Sequence, residues 1–282
     1  MPTANIDGLQ IAYRDEGRGH SLLLIHAFPL SGAMWEQQIA ALSSTYRLIV
    51  PDLRGFGASP VVPGTTSLDQ YADDLAGLLD QLGLEHVAVA GLSMGGYIAF
   101  ALLRRHRERV DALILADTRS QPDNEDGRRA REENARLVEQ QGPRAIADQM
   151  LPKLLSPNAP QQLRAEVRRL IEANDRAGIA AALRAMAVRP DSTPLLATIA
   201  VPTLVVVGAE DILTPPSDAR AMHAAIAGSQ LAELPGAGHL AHLEAPEAFN
   251  GAVADLLSPG KAGIVGNPSA TWGEGSSSGG TW

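Results

Sequence analysis

The 282-residue chain contains no cysteine. That absence excludes disulfides, thiolate catalysis, cysteine-ligated zinc and iron–sulfur clusters. Long hydrophobic runs are missing as well. Apolar stretches such as Leu22–Ile25 and Leu204–Val207 have only strand length, whereas a membrane span needs about 20 consecutive apolar residues. Positive charge is in deficit, with 23 Lys plus Arg against 32 Asp plus Glu and a net charge of −9. Nucleic acid is therefore not an expected partner, since phosphate binding needs clustered Lys and Arg, and neither is an anionic membrane surface. The N-terminal stretch MPTANIDGLQIAYRDEG lacks a basic start followed by an apolar run. No signal peptide is read there, and the expected location is the cytoplasm. No Gly-rich phosphate loop of dinucleotide or nucleotide-triphosphate form occurs, so no cofactor is expected.

What is present describes a folded chain. Hydrophobic residues make up 45% and charged residues 20%, enough to bury a substantial core and too little charge for a solvated disordered chain. The length fits one large domain, or a core with one insertion. In the first half, short aliphatic runs alternate with helical patterns. Asp7-Gly8, between Asn5–Ile6 and Gln10–Tyr13, is a two-residue hairpin signal. Ser21–Ile25 reads as a buried strand, Ala33–Leu42 as a helix, and Tyr46–Val50 as a strand broken by Pro51. Leu68, Tyr71, Leu75, Leu78, Leu79 and Leu82 recur at helical spacing between a Ser67 cap and a Gly83 stop. Val87–Ala90 and Val110–Ala116 read as strands around a helix over Met94–Arg105. Such alternation predicts a mostly parallel sheet with helices on both faces.

From Arg119 to about Pro190 the pattern changes, and no strand-like run occurs. The segment reads as amphipathic helices broken at Gly142-Pro143 and Ser156–Pro160. Strand–helix alternation then resumes with Thr203–Val207, Pro216–Ala227, Gln230–Leu234 and Pro246–Leu257. The expected organisation is a core made of residues 1–118 and 191–258, a helical cap over 119–190, and a flexible Gly/Ser-rich tail over 259–282.

The strongest chemical signal is Gly91-Leu92-Ser93-Met94-Gly95, which joins a predicted strand to a predicted helix. A serine on so sharp a turn exposes its hydroxyl at the strand's C-terminal end. Glycines at 91 and 95 remove side chains that would collide there, and the helix N-terminus offers amide N–H groups to developing negative charge. The plainer reading is a tight strand-to-helix turn with a capping serine.

A serine hydroxyl needs a base. Of the seven histidines, His239 in Leu234-Pro-Gly-Ala-Gly-His239 is the candidate, because the flanking glycines suit a loop that carries an imidazole over the strand ends. His242 follows three residues later. The resulting HxxH pair has no accompanying acidic or cysteine ligand set, so no metal is expected. The imidazole in turn needs an orienting carboxylate. Asp211, in the loop after Thr203–Val207, is the candidate, with an Asx turn as its plainer role and Glu210 and Asp117 as competitors. An oxyanion hole needs two converging donors. Met94 N–H is one, and Phe28 N–H in His26-Ala27-Phe28-Pro29-Leu30 is the other, since Pro29 cannot donate.

Together these residues make the chain resemble an α/β-hydrolase-fold enzyme from about residue 3 to 258. Ser93, Asp211 and His239 fall in that family's order of nucleophile, acid and histidine. His26–Pro29 resembles its HGxP loop, with Ala27 in place of the usual glycine. Asp52-Leu-Arg-Gly-Phe-Gly-Ala-Ser59 resembles its DxRGxGxS turn and reads as a structural loop with an Asp–Arg pair. The elbow around Ser93 resembles the esterase, lactonase and perhydrolase branch, and a serine there excludes the aspartate-nucleophile chemistry of family epoxide hydrolases and haloalkane dehalogenases. The resemblance implies hydrolysis of a small-molecule carboxylic ester through an acyl-enzyme, with His26, Phe28 and Met94 expected at the substrate. An enol-lactonase, a carbon–carbon bond hydrolase or a perhydrolase would use the same triad, and a non-catalytic small-molecule receptor is the rival of another class. No oligomeric state follows from the sequence.

Overall fold

The computed structural model describes residues 1–64 and 67–258. The predicted flexible tail over 259–282 lies outside the described residues. Asp7 and Gly8 both take positive φ, at 49° and 91°, which matches the turn to the twist of the strands it joins. It links strands β1 (Thr3–Ile6) and β2 (Leu9–Glu16). Next come β3 (Ser21–Ile25), a single 3-10 turn at Gly32–Trp35, helix α1 (Glu36–Leu42) and β4 (Arg47–Pro51). The helix expected over Ala33–Leu42 thus begins as a tighter turn. Helix α2 (Leu68–Gln81), β5 (Val87–Leu92), α3 (Met94–Arg105) and β6 (Val110–Ala116) follow. Between β6 and the next strand lie α4 (Glu125–Gln141), α5 (Pro143–Leu154), α6 (Gln161–Glu172), α7 (Arg176–Ala187) and the short α8 (Thr193–Leu196). The chain then forms β7 (Thr203–Gly208), α9 (Pro216–Ala225), β8 (Gln230–Leu234), α10 (Ala241–Glu244) and α11 (Pro246–Leu257).

The strands form one eight-stranded sheet in the order β1-β2-β4-β3-β5-β6-β7-β8. β2 pairs antiparallel with both β1 and β4 at one edge, and the remaining pairs are parallel. Every residue of β3, β5 and β7 is buried. Strands covered on both faces need continuous apolar runs, which is how they stand out in the sequence. Helix α2 buries Leu68, Tyr71, Leu75, Leu78 and Leu79. Gln70 Oε1 accepts the Ser67 N–H at its start, and Gly83, at φ 64°, ends it.

The expected Asp52–Arg54 pair is not formed. Arg54 instead reaches Asp74 on α2, at 2.6 and 2.5 Å. Asp52 accepts the Gly32 and Ala58 N–H groups, each at 2.8 Å. The carboxylate therefore shapes its own loop, and the guanidinium ties that loop to a helix.

Helices α4 to α7 pack on one another through their own apolar seam, with Val138, Ile146, Val167, Ile171 and Leu183 buried. Their two connections to the sheet run side by side. Ser192 N–H donates to Ser120 O at 2.9 Å, Ser120 and Thr193 share a hydroxyl contact of 3.1 Å, and Arg189 Nη2 donates to Gln121 O at 3.0 Å. The insert meets the core again at Leu240 N–H to Leu154 O, 3.0 Å, and at Gly55 against Gly178, where a Cβ on either glycine would collide with the other backbone.

Candidate active site

Between β5 and α3 the backbone turns through Ser93 at φ 55° and ψ −111°, a conformation that costs a non-glycine residue about 1–3 kcal/mol. The surroundings hold it there. Ser93 N–H donates to Ala116 O at 2.9 Å, and its carbonyl accepts Thr118 Oγ1–H at 2.8 Å. A Cβ at Gly91 would strike Gly95 O, one at Gly95 would strike Ile25 O, and one at Gly96 would strike Thr118. The glycines let α3 start hard against the end of β3, which brings residues 26–30 beside Ser93.

His239 follows β8, and Asp211 follows the adjacent β7. Backbone bonds lace the two loops together: Ala209 N–H to Leu234 O at 2.9 Å and Glu210 N–H to Ala237 O at 2.8 Å. His239 Nε2 lies 2.8 Å from Ser93 Oγ, and its Nδ1 lies 2.8 Å from Asp211 Oδ2. With a carboxylate at Nδ1, that nitrogen carries the proton and Nε2 accepts from the serine hydroxyl. Both His239 and Asp211 are buried, while Ser93 is partly exposed.

Asp211 makes both sets of contacts that its loop position allowed. Oδ1 accepts Leu213 and Thr214 N–H at 2.8 and 3.0 Å, an Asx-type arrangement, while Oδ2 accepts Thr214 Oγ1–H at 2.6 Å as well as His239 Nδ1–H. Burial opposes the charge on Asp211, yet the His239 and Thr214 contacts outweigh it and hold the carboxyl below its ordinary range. Glu210 is exposed. Asp117 is fully buried at φ 43°, and its Oδ1 accepts the Gly208 N–H at 2.8 Å. Burial first, then the nearby Asp211 charge, pushes its carboxyl well above the ordinary value. It braces the base of the acid loop without touching His239.

The remaining site candidates separate. The N–H groups of Phe28 and Met94 make no hydrogen bond among the described residues. His26, expected at the substrate, is instead enclosed in the loop. Its Nδ1 contacts Ala27 O at 3.0 Å and its Nε2 accepts the Leu53 N–H at 3.1 Å. Burial drives its pKa down to about 4, so the ring is neutral and both nitrogens serve the backbone. The Met94 side chain is fully buried, and Phe28 is 5% exposed. His242 is also buried, 4.7 Å from the Trp35 ring, with burial pushing its pKa down to about 3. Its Nε2 contacts Met34 O at 3.2 Å, which makes it a core histidine. Thr214 escaped the sequence reading. Its only signal is its place three residues after Asp211, where a hydroxyl can return to an Asx-turn carboxylate.

A serine on a strained elbow, a histidine and an acid from two later strands, and a mostly parallel eight-stranded sheet define a class. The family model described as alpha/beta hydrolase fold matches residues 20–246, and the chain belongs to that family, whose members support hydrolase activity here. Among curated proteins, 3-oxoadipate enol-lactonase 2 of Acinetobacter baylyi is 32% identical over 240 residues, covering 84% of this chain and 88% of its own. Among solved structures, a thermophilic esterase of Thermogutta terrifontis superposes with a TM-score of 0.86 at 43% identity, covering 88% of this chain and 93% of that one. The enol-lactonase of Burkholderia xenovorans gives 0.84 at 30% identity, covering 91% and 99%.

Proposed function

We propose that this protein is a serine hydrolase that cleaves small-molecule carboxylic esters through an acyl-enzyme. The observation that carries the reading is the unbroken chain Ser93 Oγ–His239 Nε2 and His239 Nδ1–Asp211 Oδ2, each contact 2.8 Å. Ser93 Oγ attacks the acyl carbon as its proton passes to His239 Nε2. The carbonyl oxygen becomes an oxyanion that rests on the Phe28 and Met94 N–H groups, which make no hydrogen bond among the described residues. Collapse breaks the carbon–oxygen bond to the alcohol, which leaves with the proton from His239. Water then gives a proton to the same nitrogen and attacks the acyl carbon; collapse breaks the bond to Ser93 Oγ, which recovers the proton from His239, and the carboxylic acid leaves. Asp211 stays ionised throughout and stabilises the imidazolium. Residues 119–190 act as a cap, and the acyl group lies between it and the strand ends.

A second reading keeps every step but tethers the alcohol to the acid. Enol-lactone cleavage is favoured by the names of two relatives that cover most of this chain. Both readings are tested by labelling with a fluorophosphonate, followed by hydrolysis of p-nitrophenyl esters from acetate to palmitate beside lactones and a carbon–carbon substrate. Labelling at Ser93 together with ester turnover supports the first reading. Lactone turnover far above any ester selects the second, and absence of label at Ser93 refutes both.

A further inference from the structure

The insert reaches the oxyanion loop through one side chain. Asn174 lies in the link between α6 and α7 and is 4% exposed. Its Nδ2 donates to Pro29 O and to Leu170 O, each at 2.9 Å, and its Oδ1 accepts the Gly57 N–H at 2.9 Å. Two carbonyl partners and one N–H partner dictate which amide atom is which. One side chain thus joins the insert, the Gly-rich loop at 52–59 and the segment carrying Phe28.

The geometry of that segment gives the contact its meaning. Ala27 O receives the Leu30 N–H at 2.9 Å and His26 Nδ1 at 3.0 Å. A trans peptide points its N–H opposite to its C=O, so pinning Ala27 O aims the Phe28 N–H the other way. His26 and Leu30 anchor the peptide preceding Phe28, and Asn174 anchors the carbonyl of the residue following it. The backbone contact of Gly55 with Gly178, four residues after Asn174, seats α7 directly on the core.

We infer that Asn174 is a positioning residue for the oxyanion loop, holding the Pro29 carbonyl so that the Phe28 N–H stays where the developing oxyanion needs it. This rests on the acyl-enzyme reading above. A donor misplaced by about 1 Å can cost a hundredfold in rate, and loss of one oxyanion donor costs about 10²–10³ in kcat. A loosened donor should cost less, roughly 10–100-fold.

The test uses the full chain with Asn174→Ala and Asn174→Asp. Aspartate keeps the shape and the acceptor toward Gly57 but, ionised, cannot donate to Pro29 O. The readouts are kcat and KM for p-nitrophenyl butyrate, affinity for a trifluoromethyl ketone that forms a serine-bound oxyanion, and melting temperature. Glu172→Gln, on the exposed end of α6, is the control. The expected result is a roughly 10–100-fold fall in kcat for both variants, KM within about threefold, and a matching loss of ketone affinity. Wild-type kcat with unchanged ketone affinity in folded variants overturns the inference. A loss confined to KM does so too, as does melting of both variants below the assay temperature, because packing alone would then account for Asn174. If wild-type protein takes no fluorophosphonate label at Ser93, the acyl-enzyme reading itself fails, and that outcome is distinct from the others.

Discussion

Replacing Asp211 by asparagine should cost about four orders of magnitude in kcat, and the structure says why. Asp211 Oδ1 receives two backbone N–H groups, from Leu213 and Thr214. In the variant the amide oxygen must stay at that position, because an amide NH₂ there would face two donors. The NH₂ is therefore forced to the Oδ2 position, 2.8 Å from His239 Nδ1. Nδ1 must now accept, so the ring proton moves to Nε2, 2.8 Å from Ser93 Oγ. The nitrogen meant to remove the serine proton then carries one of its own. The same substitution in a Ser-His-Asp enzyme lowers kcat by about 10⁴, equivalent to about 5 kcal/mol at 1.36 kcal/mol per tenfold. Asp117→Asn should lose less than about tenfold, since Asp117 contacts Gly208 and not the imidazole. The assay is steady-state hydrolysis of p-nitrophenyl butyrate, with circular dichroism to verify folding. A folded Asp211→Asn variant within about tenfold of wild type, or a larger loss from Asp117→Asn, would refute the reasoning.

Ser93→Ala should remove about 10⁶ of kcat while the fold persists, and wild-type turnover by that variant would move the nucleophile elsewhere. Ser93→Gly should be equally inactive yet more stable by about 1 kcal/mol, because glycine tolerates φ 55°; calorimetry showing a lower Tm than wild type would contradict the strain. Asp117, raised when folded, contributes stability that is complete below the unfolded carboxyl value near 4 and is lost as pH rises through the folded value. Asp117→Asn should therefore gain Tm relative to wild type as pH increases, and a Tm difference that stays flat with pH would show that the carboxyl is not held protonated. Butyrate esters should outrun palmitate esters; activation by emulsified lipid would reverse that expectation, since interfacial enzymes expose large apolar patches.

The legible parts of the molecule are those whose causes are local. The strands β3, β5 and β7 announce themselves as apolar runs because both faces are buried. The Asp7-Gly8 turn and the glycines around Ser93 are readable because a backbone position with positive φ or a close approach admits few residues. Ser93, His239 and Asp211, which the structure brings within hydrogen-bond distance of one another, could be picked out from the elbow motif, loop composition and order along the chain. What escaped depends on pairings between segments far apart in the chain. Nothing near Arg54 marks its partner Asp74, 20 residues away, and nothing near Asn174 points to Pro29, 145 residues away. His26 misled for a related reason: a strand-end histidine looks the same in sequence whether it faces a ligand or folds back on its own loop.

Because the insert leaves and rejoins the sheet at touching points, its size is nearly independent of the rest of the molecule. With Ser120 and Ser192 already joined by a 2.9 Å hydrogen bond, the closure entropy of whatever lies between grows only by about 0.6 kcal/mol per doubling of length. A longer, shorter or wholly different set of helices could therefore be carried at this junction while β6 and β7 kept their register. Evolution and engineering share that freedom: the inserted helices can be exchanged as a cassette, provided the replacement supplies its own apolar seam and something to grip the carbonyl of Pro29.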